Sequence, residues 1–543
     1  MTTLKTDPGV NLESFVDEVT SLYPAKVAKK RRAHMVVRKD GEPGLGQQIE
    51  ANTRTVPGII TQRGCCYAGC KGVVIGPYGD MVHIVHGPVG CSFYAWLTRR
   101  NQFRARGEAG KNYLAYCFTT DMQDEDIIFG GEKKLAQAIR EAAAIFRPEA
   151  ISVHATCPVG LIGDDIQAVA RELSKETGIP VMAFNCEGYK GVSQSAGHHI
   201  ANNKIFDMAV GTRERTAGTF SVNVLGEYNI GGDAYEIERV LDKCGVEVVA
   251  TFSGNSVYDD MCTAHSANLN LVMCHRSINY LAEMMETKYG IPWIKVNFIG
   301  VQSMSQSLRK IARYFDDATL TARIEAVIAE EEAAAQAKLA DYRPGLTGKT
   351  AMLFVGGSRA HHYMHLMRDL GMEPLVAGFE FAHRDDYEGR RVIPTIKVDA
   401  DSKNIEELKV TADPERYRPR IDPAYREQLE REGLLSSYEG MWDDMGEGTL
   451  VIDDVSHVEI EKLILQMKPD LICSGIKDKY VIEKFGVPCK QLHNYDYSGP
   501  YAGYGGAVNF ARDVFAMVHS PAWRLTRSPF DEGPTLTAGL NDR

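Results

Sequence analysis

The residues of this chain best suited to chemistry are thiols and imidazoles at the ends of short apolar runs. Cys157 closes "AISVHATC", Cys274 closes "LNLVMC" and His493 closes "CKQLH". Such runs read as buried strands, and ligands of open parallel sheets gather outside the carboxyl ends of the strands. Cys473 in "DLICSGIK", with Lys477 just beyond, holds the same position, as do Gly356 and Gly357 after "AMLFV", followed by Arg359. Cys65 in "TQRGCCYAGCKG" and Cys91 in "HGPVGC" lie beside glycines, which let backbone approach a bulky group and turn amides toward an anionic sulfur cluster. Each residue has a plainer reading when taken alone, a cysteine as a small buried hydrophobe and a histidine as a satisfied core or surface residue. Cys65, Cys91 and Cys157 share no short spacing, so they form neither a ferredoxin box nor a zinc finger. Together they suggest a metal site assembled across loops.

The elements that must position these residues alternate strand with helix. "GEKKLAQAIREAAAIF", "DDIQAVARELSKETG", "AYEIERVLDKCG" and "SINYLAEMMETKYG" have helical periodicity. Between and after them come "AISVHATC", "VNVLGEYN", "VEVVATFSG", "LNLVMC", "WIKVNFIG", "TAMLFVGG", "EPLVAGFEF", "DLICSGI" and "CKQLH" as strands. Short apolar strands separated by helices of about 10–15 residues predict an α/β fold with parallel, doubly wound sheets. A chain of 543 residues exceeds one hydrophobic core. The expected organisation is an N-terminal extension over 1–48 and three Rossmann-like domains over 49–215, 216–345 and 346–520, with a tail over 521–543. The charged, Pro-bearing stretch 389–437 reads as a surface insertion in the third domain, and the basic cluster "KVAKKRRAHMVVRK" as a solvated or partner-facing arm.

A net charge of −11 argues against broad binding to nucleic acid or an anionic membrane. With no long apolar run and no signal-peptide core, the expected location is the cytoplasm, where disulfides are rare and 12 cysteines need another use. "RPGLTGKT" imitates a phosphate loop, but Arg343 stands where that loop needs glycine and the GKT precedes a strand rather than following one. No nucleotide site is predicted.

At this point the motifs carry a family. "RGCCYAGCKGVV", "HGPVGC", "CPVGLIGDDI", "GVSQSAGHHIANN", "GEYNIGGDA", "LNLVMCHRSINY", "VGGSRAHHY", "GFEFAHRDDYEGR" and "QLHNYDYSGPY" resemble, in order and over residues 50 to 520, the α-chains of nitrogenase molybdenum-iron proteins. The insertion resembles that of the clostridial branch. The resemblance implies an iron-molybdenum cofactor carrying homocitrate, held by Cys274 on iron and His493 on molybdenum. Soft thiolate suits iron–sulfur, and imidazole with homocitrate oxygens suits molybdenum. It places Gln194 beside homocitrate and His198 beside a cofactor sulfur, where His198 would donate to substrate or relay protons. Arg99, Arg276 and Arg359 would surround the anionic cofactor, Gly356 and Gly357 would pack their backbone against it, and Lys477 would reach homocitrate. Val73 would control substrate size, and Tyr228, Ser277 and Phe381 would line the cavity. Cys65, Cys91 and Cys157 match the three α-chain ligands of the P-cluster (8Fe-7S), which a β-chain would complete in an α2β2 heterotetramer. Cys66, Cys70 and Cys473 match no ligand. The substrate implied is dinitrogen, with ATP handled by a separate iron protein. Two other readings fit less well: a cofactor-assembly scaffold, which lacks the histidine and the Gln194–His198 pair, and a vanadium or iron-only α-chain, which lacks the insertion.

Overall fold

Strands buried on both faces read as nearly continuous apolar runs, and those of this chain do, with polar residues such as His83, Ser152, His154 and Asn223 set among them. In the computed structural model, which describes residues 12–39, 49–54, 61, 63–97, 101–105, 110–356 and 359–526, the described strands form three sheets. A first short strand, β1 (Met35–Val37), precedes them all. β2 (Met81–His86), β3 (Phe118–Thr119), β4 (Ala150–Ala155) and β5 (Val181–Phe184) pair in parallel in the order β3-β2-β4-β5. β6 (Ser221–Glu227), β7 (Glu247–Ser253), β8 (Leu269–Val272) and β9 (Trp293–Lys295) pair in parallel in the order β7-β6-β8-β9. β10 (Thr350–Val355), β11 (Glu373–Phe379), β12 (Leu450–Ile452), β13 (Leu471–Ser474) and β14 (Cys489–Gln491) pair in parallel in the order β12-β11-β10-β13-β14 and, with β1, make the third sheet. β2, β4 and β6 are buried at every position. Helices such as Glu132–Phe146, Ile166–Thr177, Asp233–Cys244 and Val301–Phe315 cover the sheets, their apolar stripes turned inward. The doubly wound expectation holds.

Two segments differ from the sequence reading. The basic N-terminal stretch is not a solvated arm: β1 pairs antiparallel with β12 at the edge of the third sheet. Arg31 is buried and forked onto Glu459, with Nε 2.6 Å from Oε1 and Nη2 2.7 Å from Oε2. A planar guanidinium matches a carboxylate in this way, and lysine does not. The insertion, in turn, is not confined to the surface. Its short helix Ile396–Asp399 delivers Asp399 into the interior, where the carboxylate meets Arg276 and His199. Among the described residues no helix is long and apolar enough to cross a membrane.

Candidate functional site

Cys274 and His493 come from different sheets, and a closed ring of contacts brings their surroundings together. Cys274 follows β8 and stands at the N-cap of the helix His275–Tyr289. One turn on, Ser277 donates to the Cys274 carbonyl at 3.2 Å and accepts from the Tyr228 hydroxyl at 2.8 Å. Glu227, at the end of β6, binds Arg359, Oε2 to Nη2 at 2.7 Å. Arg359 also donates from Nη1 to the Tyr495 hydroxyl at 3.0 Å, two residues past His493. On the other side, Glu380 lies 3.0 Å from Nε2 of His493. Its neighbour Phe381 accepts from Arg276 Nε at 3.1 Å through its carbonyl and sets its ring edge-on to the buried His198, with centroids 5.4 Å apart.

Space beside each donor is kept by glycine. A Cβ on Gly226 would lie 2.8 Å from the Cβ and backbone nitrogen of Cys274, and its φ of +88° is a conformation that side chains rarely adopt. A Cβ on Gly475 would lie 2.8 Å from both Nδ1 and Cε1 of His493. Gly356 packs on the Phe381 ring, which a Cβ there would meet at 2.2 Å.

The charges are placed with the same economy. Burial alone would lower the pKa of His493, but the Glu380 carboxylate reverses that, and the net shift is upward. Burial, with Cys274 adding to it, holds the Tyr228 hydroxyl well above its ordinary pKa, so it stays a donor. Arg276 is paired with Asp399 and donates from Nη2 to Ser195 at 3.1 Å. Lys477 donates to the Arg63 carbonyl at 2.8 Å and lies near enough to His493 to oppose its protonation.

A second group of donors faces outward. Cys91 lies in the first turn of the helix Val89–Leu97 after β2, and Cys157 opens the helix Cys157–Ile162 after the neighbouring strand β4. Cys65 stands just before a π-helix, Ala68–Ile75, a rare form that recurs at functional sites. The Sγ atoms of Cys157 and Cys65 lie 3.0 and 3.3 Å from a single point, the place of a Cβ on Gly188. Burial raises the Cys91 thiol, and so do Cys157 and Cys65 beside it. A multivalent cation favours gathering such thiols as thiolates. All three are exposed, and so are Phe93, Tyr94, Leu161 and Tyr189 around them, a rim of the kind that marks a protein interface. Gln194 joins the two groups: its Oε1 accepts from the backbone N–H of Gly64, next to Cys65, and its neighbour Ser195 binds Arg276.

Residues 65–519 match the sequence model of the family described as nitrogenase component 1 type oxidoreductase. The chain belongs to this family. It is 56% identical over 519 residues to the nitrogenase molybdenum-iron protein alpha chain of Clostridium pasteurianum, covering 95% of this chain and 97% of that protein. The protein of the same description from Methanosarcina barkeri is 50% identical, with the same coverage. The solved structure titled "Nitrogenase Cp1 at pH 6.5" superposes with a TM-score of 0.92 at 56% identity, covering 95% of this chain and 100% of that one.

In this component 1 type oxidoreductase the structure gathers Cys274, His493, His198, Arg276, Ser277, Tyr228, Gly356, Arg359, Phe381 and Lys477 through the contacts above. It places Gln194 between the two groups and Val73, half-buried, in the π-helix. Arg99 and Gly357 lie outside the described residues. Sequence reasoning passed over Glu380, Glu227 and Asp399. Glu380 and Glu227 directly follow strand residues, the signal that singled out Cys157, and could have been found by it. Asp399 lies in an irregular charged stretch with no comparable signal.

Proposed function

We propose that the chain is the α-subunit of a molybdenum-iron nitrogenase component, an oxidoreductase that reduces dinitrogen to ammonia with evolution of hydrogen. One juxtaposition carries this reading. A thiol and an imidazole from two sheets stand on one connected set of contacts that includes Arg276 and Arg359, while three further thiols converge on an exposed face, in a chain similar over nearly its whole length to proteins of that description.

Cys274 and His493 would hold the two ends of an iron-molybdenum cofactor with homocitrate. The donor set fits, soft thiolate for iron and imidazole for molybdenum, and the glycines at 226, 356 and 475 let Cys274, Phe381 and His493 sit where a Cβ would collide with them. When bound, the cofactor supplies the multi-electron redox centre. The remaining work belongs to the chain. Glu380, 3.0 Å from Nε2 of His493, would leave Nδ1 as the ligating nitrogen. Arg359, with Arg99 and Lys477, offsets the negative charge of cofactor and homocitrate, and Gln194 faces homocitrate. Arg276 orients the Phe381 backbone. His198, enclosed against Phe381, holds or moves a proton beside the substrate, and Val73 limits substrate size. Gly356 and Gly357 keep side chains off the cofactor. Tyr228, Ser277 and Phe381 form the wall.

Cys65, Cys91 and Cys157 would hold one half of a P-cluster whose other thiolates come from a β-chain seated on the exposed rim, in an α2β2 assembly. A separate iron protein would deliver electrons at the expense of ATP. The test is the chain co-expressed with its β-chain and purified without oxygen. Molybdenum, vanadium and iron are measured per chain, and labelled dinitrogen is followed into ammonia with iron protein and ATP. His493→Ala should lose molybdenum and dinitrogen reduction while retaining the P-cluster iron. Dinitrogen reduction at the normal rate by that variant would refute the assignment.

A further inference from the structure

The first sheet contains another set of metal-ligating side chains, which the proposed function leaves unused. Cys70 in the π-helix, His154 on β4 and Cys186 just beyond β5 are all buried, and one donor atom from each lies within 4.8 Å of the other two. Nδ1 of His154 is 3.8 Å from Sγ of Cys70 and 4.0 Å from Sγ of Cys186. A cation bound about 2.3 Å from sulfur and about 2.0–2.1 Å from imidazole nitrogen at trigonal angles separates the two donors by roughly 3.8 Å. The two nitrogen–sulfur spacings are close to that separation.

Hydrogen bonds fix which nitrogen of His154 offers its lone pair. The Tyr78 carbonyl can only accept, so Nε2 of His83, 2.9 Å away, carries the hydrogen. Nδ1 of a neutral His83 must then accept, and the Ser152 hydroxyl donates to it at 2.7 Å. With its one hydrogen committed, Ser152 accepts from Nε2 of His154 at 2.9 Å. The remaining lone pair of His154, on Nδ1, faces the two sulfurs. Burial pushes the pKa of His83 down to about 3 and that of His154 well below its ordinary value, so both rings are neutral as this chain of bonds requires. The His154 ring stacks on Phe184 at 5.0 Å between centroids and 8° between planes, which fixes its direction. An imidazole held by a hydrogen-bonded partner behind it is the arrangement that supports metal-bound histidines.

We propose that Cys70, His154 and Cys186 bind one closed-shell thiophilic cation, Zn²⁺ or Cu⁺, tying the π-helix to β4 and to the end of β5. Both candidates share a preference for thiolate and imidazole. A set of three donors suits Cu⁺, whereas two thiolates and a neutral imidazole leave a divalent cation uncharged in a buried site. Uptake of either ion releases the two thiol protons to solvent. The ordinary alternative is a thiol network, in which Cys186 bonds the Ala155 carbonyl at 3.7 Å and Cys70 bonds His154.

The experiment uses the holoprotein, purified without oxygen in metal-free buffer. Zinc and copper are counted beside iron and molybdenum, before and after exposure to one equivalent of Zn²⁺ or Cu⁺ and buffer exchange. X-ray absorption at the zinc or copper edge, which does not see iron, reads the ligand set. About one retained zinc or copper per chain with two sulfur neighbours and one nitrogen is expected, the edge telling which ion. His154→Phe, which keeps the ring stacked on Phe184, should reduce that metal at least tenfold with iron unchanged. Cys186→Ser serves as a second variant should the first fail to fold. Wild-type protein that neither contains nor retains zinc or copper overturns the proposal, and so does full retention in either variant.

Discussion

His383 shows how one buried group contributes to the acid lability of the molecule. It caps the helix Arg384–Glu388, with Nδ1 accepting from the Arg384 N–H at 2.6 Å, so the ring must be neutral there. Burial, reinforced by Arg276, pushes its pKa down to about 3 from 6.5. The unfolded chain takes up the proton near pH 6.5 and the folded chain does not. The stabilisation is therefore complete above pH 6.5 and is lost as pH falls toward 3, at about 1.4 kcal/mol per pH unit. Between pH 7.5 and pH 5 this one histidine should account for about 2 kcal/mol. His383→Asn retains a capping side chain and removes the titration. Urea unfolding at the two pH values should show a narrower gap between midpoints in the variant, and an equal gap would contradict the assignment. His493, nearby, behaves in the opposite sense because a carboxylate stands against it. Neither behaviour was legible in the sequence, where both residues are histidines in the same kind of loop.

Among the elements, the insertion gains most from being seen in place. The short helix Ile396–Asp399 is capped by Thr395 and ends on the residue that matters, Asp399. Its carboxylate pairs with Arg276 and lies 3.0 Å from Nε2 of His199, and its carbonyl accepts from Asn52. A segment that looks like a surface elaboration thus neutralises the guanidinium two residues from Cys274. Asp399→Ala should leave Arg276 and His199 facing a gap, a change that costs about 3–5 kcal/mol when one partner of a buried ion pair is removed. It should lower both the urea midpoint and the molybdenum retained per chain. Glu427→Ala, on the exposed face of the insertion helix Pro423–Arg431, should stay within about 0.5 kcal/mol of the parent. Equal effects from the two variants would show that the insertion acts without Asp399. The strands and main helices were readable beforehand because periodicity is local. The β1–β12 pairing was not, since it depends on a partner remote in sequence, and the π-helix has no periodicity that sets it apart from an α-helix in so short a stretch.

For the whole molecule, the exposed thiols bear on the proposed centre shared with a second chain. Cys65→Ala should lower iron per chain and shift the αβ assembly toward free subunits in gel filtration, because a bridging metal centre contributes to association. An intact heterotetramer with full iron content would contradict the shared centre. The sequence alone determined the doubly wound class and the strand ends on which Cys157, Cys274 and His493 stand; their part as metal donors is what the family resemblance implies. The class and the strand ends follow from the short-range alternation of apolar runs. Only the tertiary structure decided what surrounds the donors: Glu380 against His493, Glu227 against Arg359 from 132 residues away, Asp399 against Arg276 from 123 residues away, and His154 between two buried thiols. A buried charge or a lone pair must find its partner in space. The packing of three sheets against one another sets that partner, and no local pattern in the chain records it.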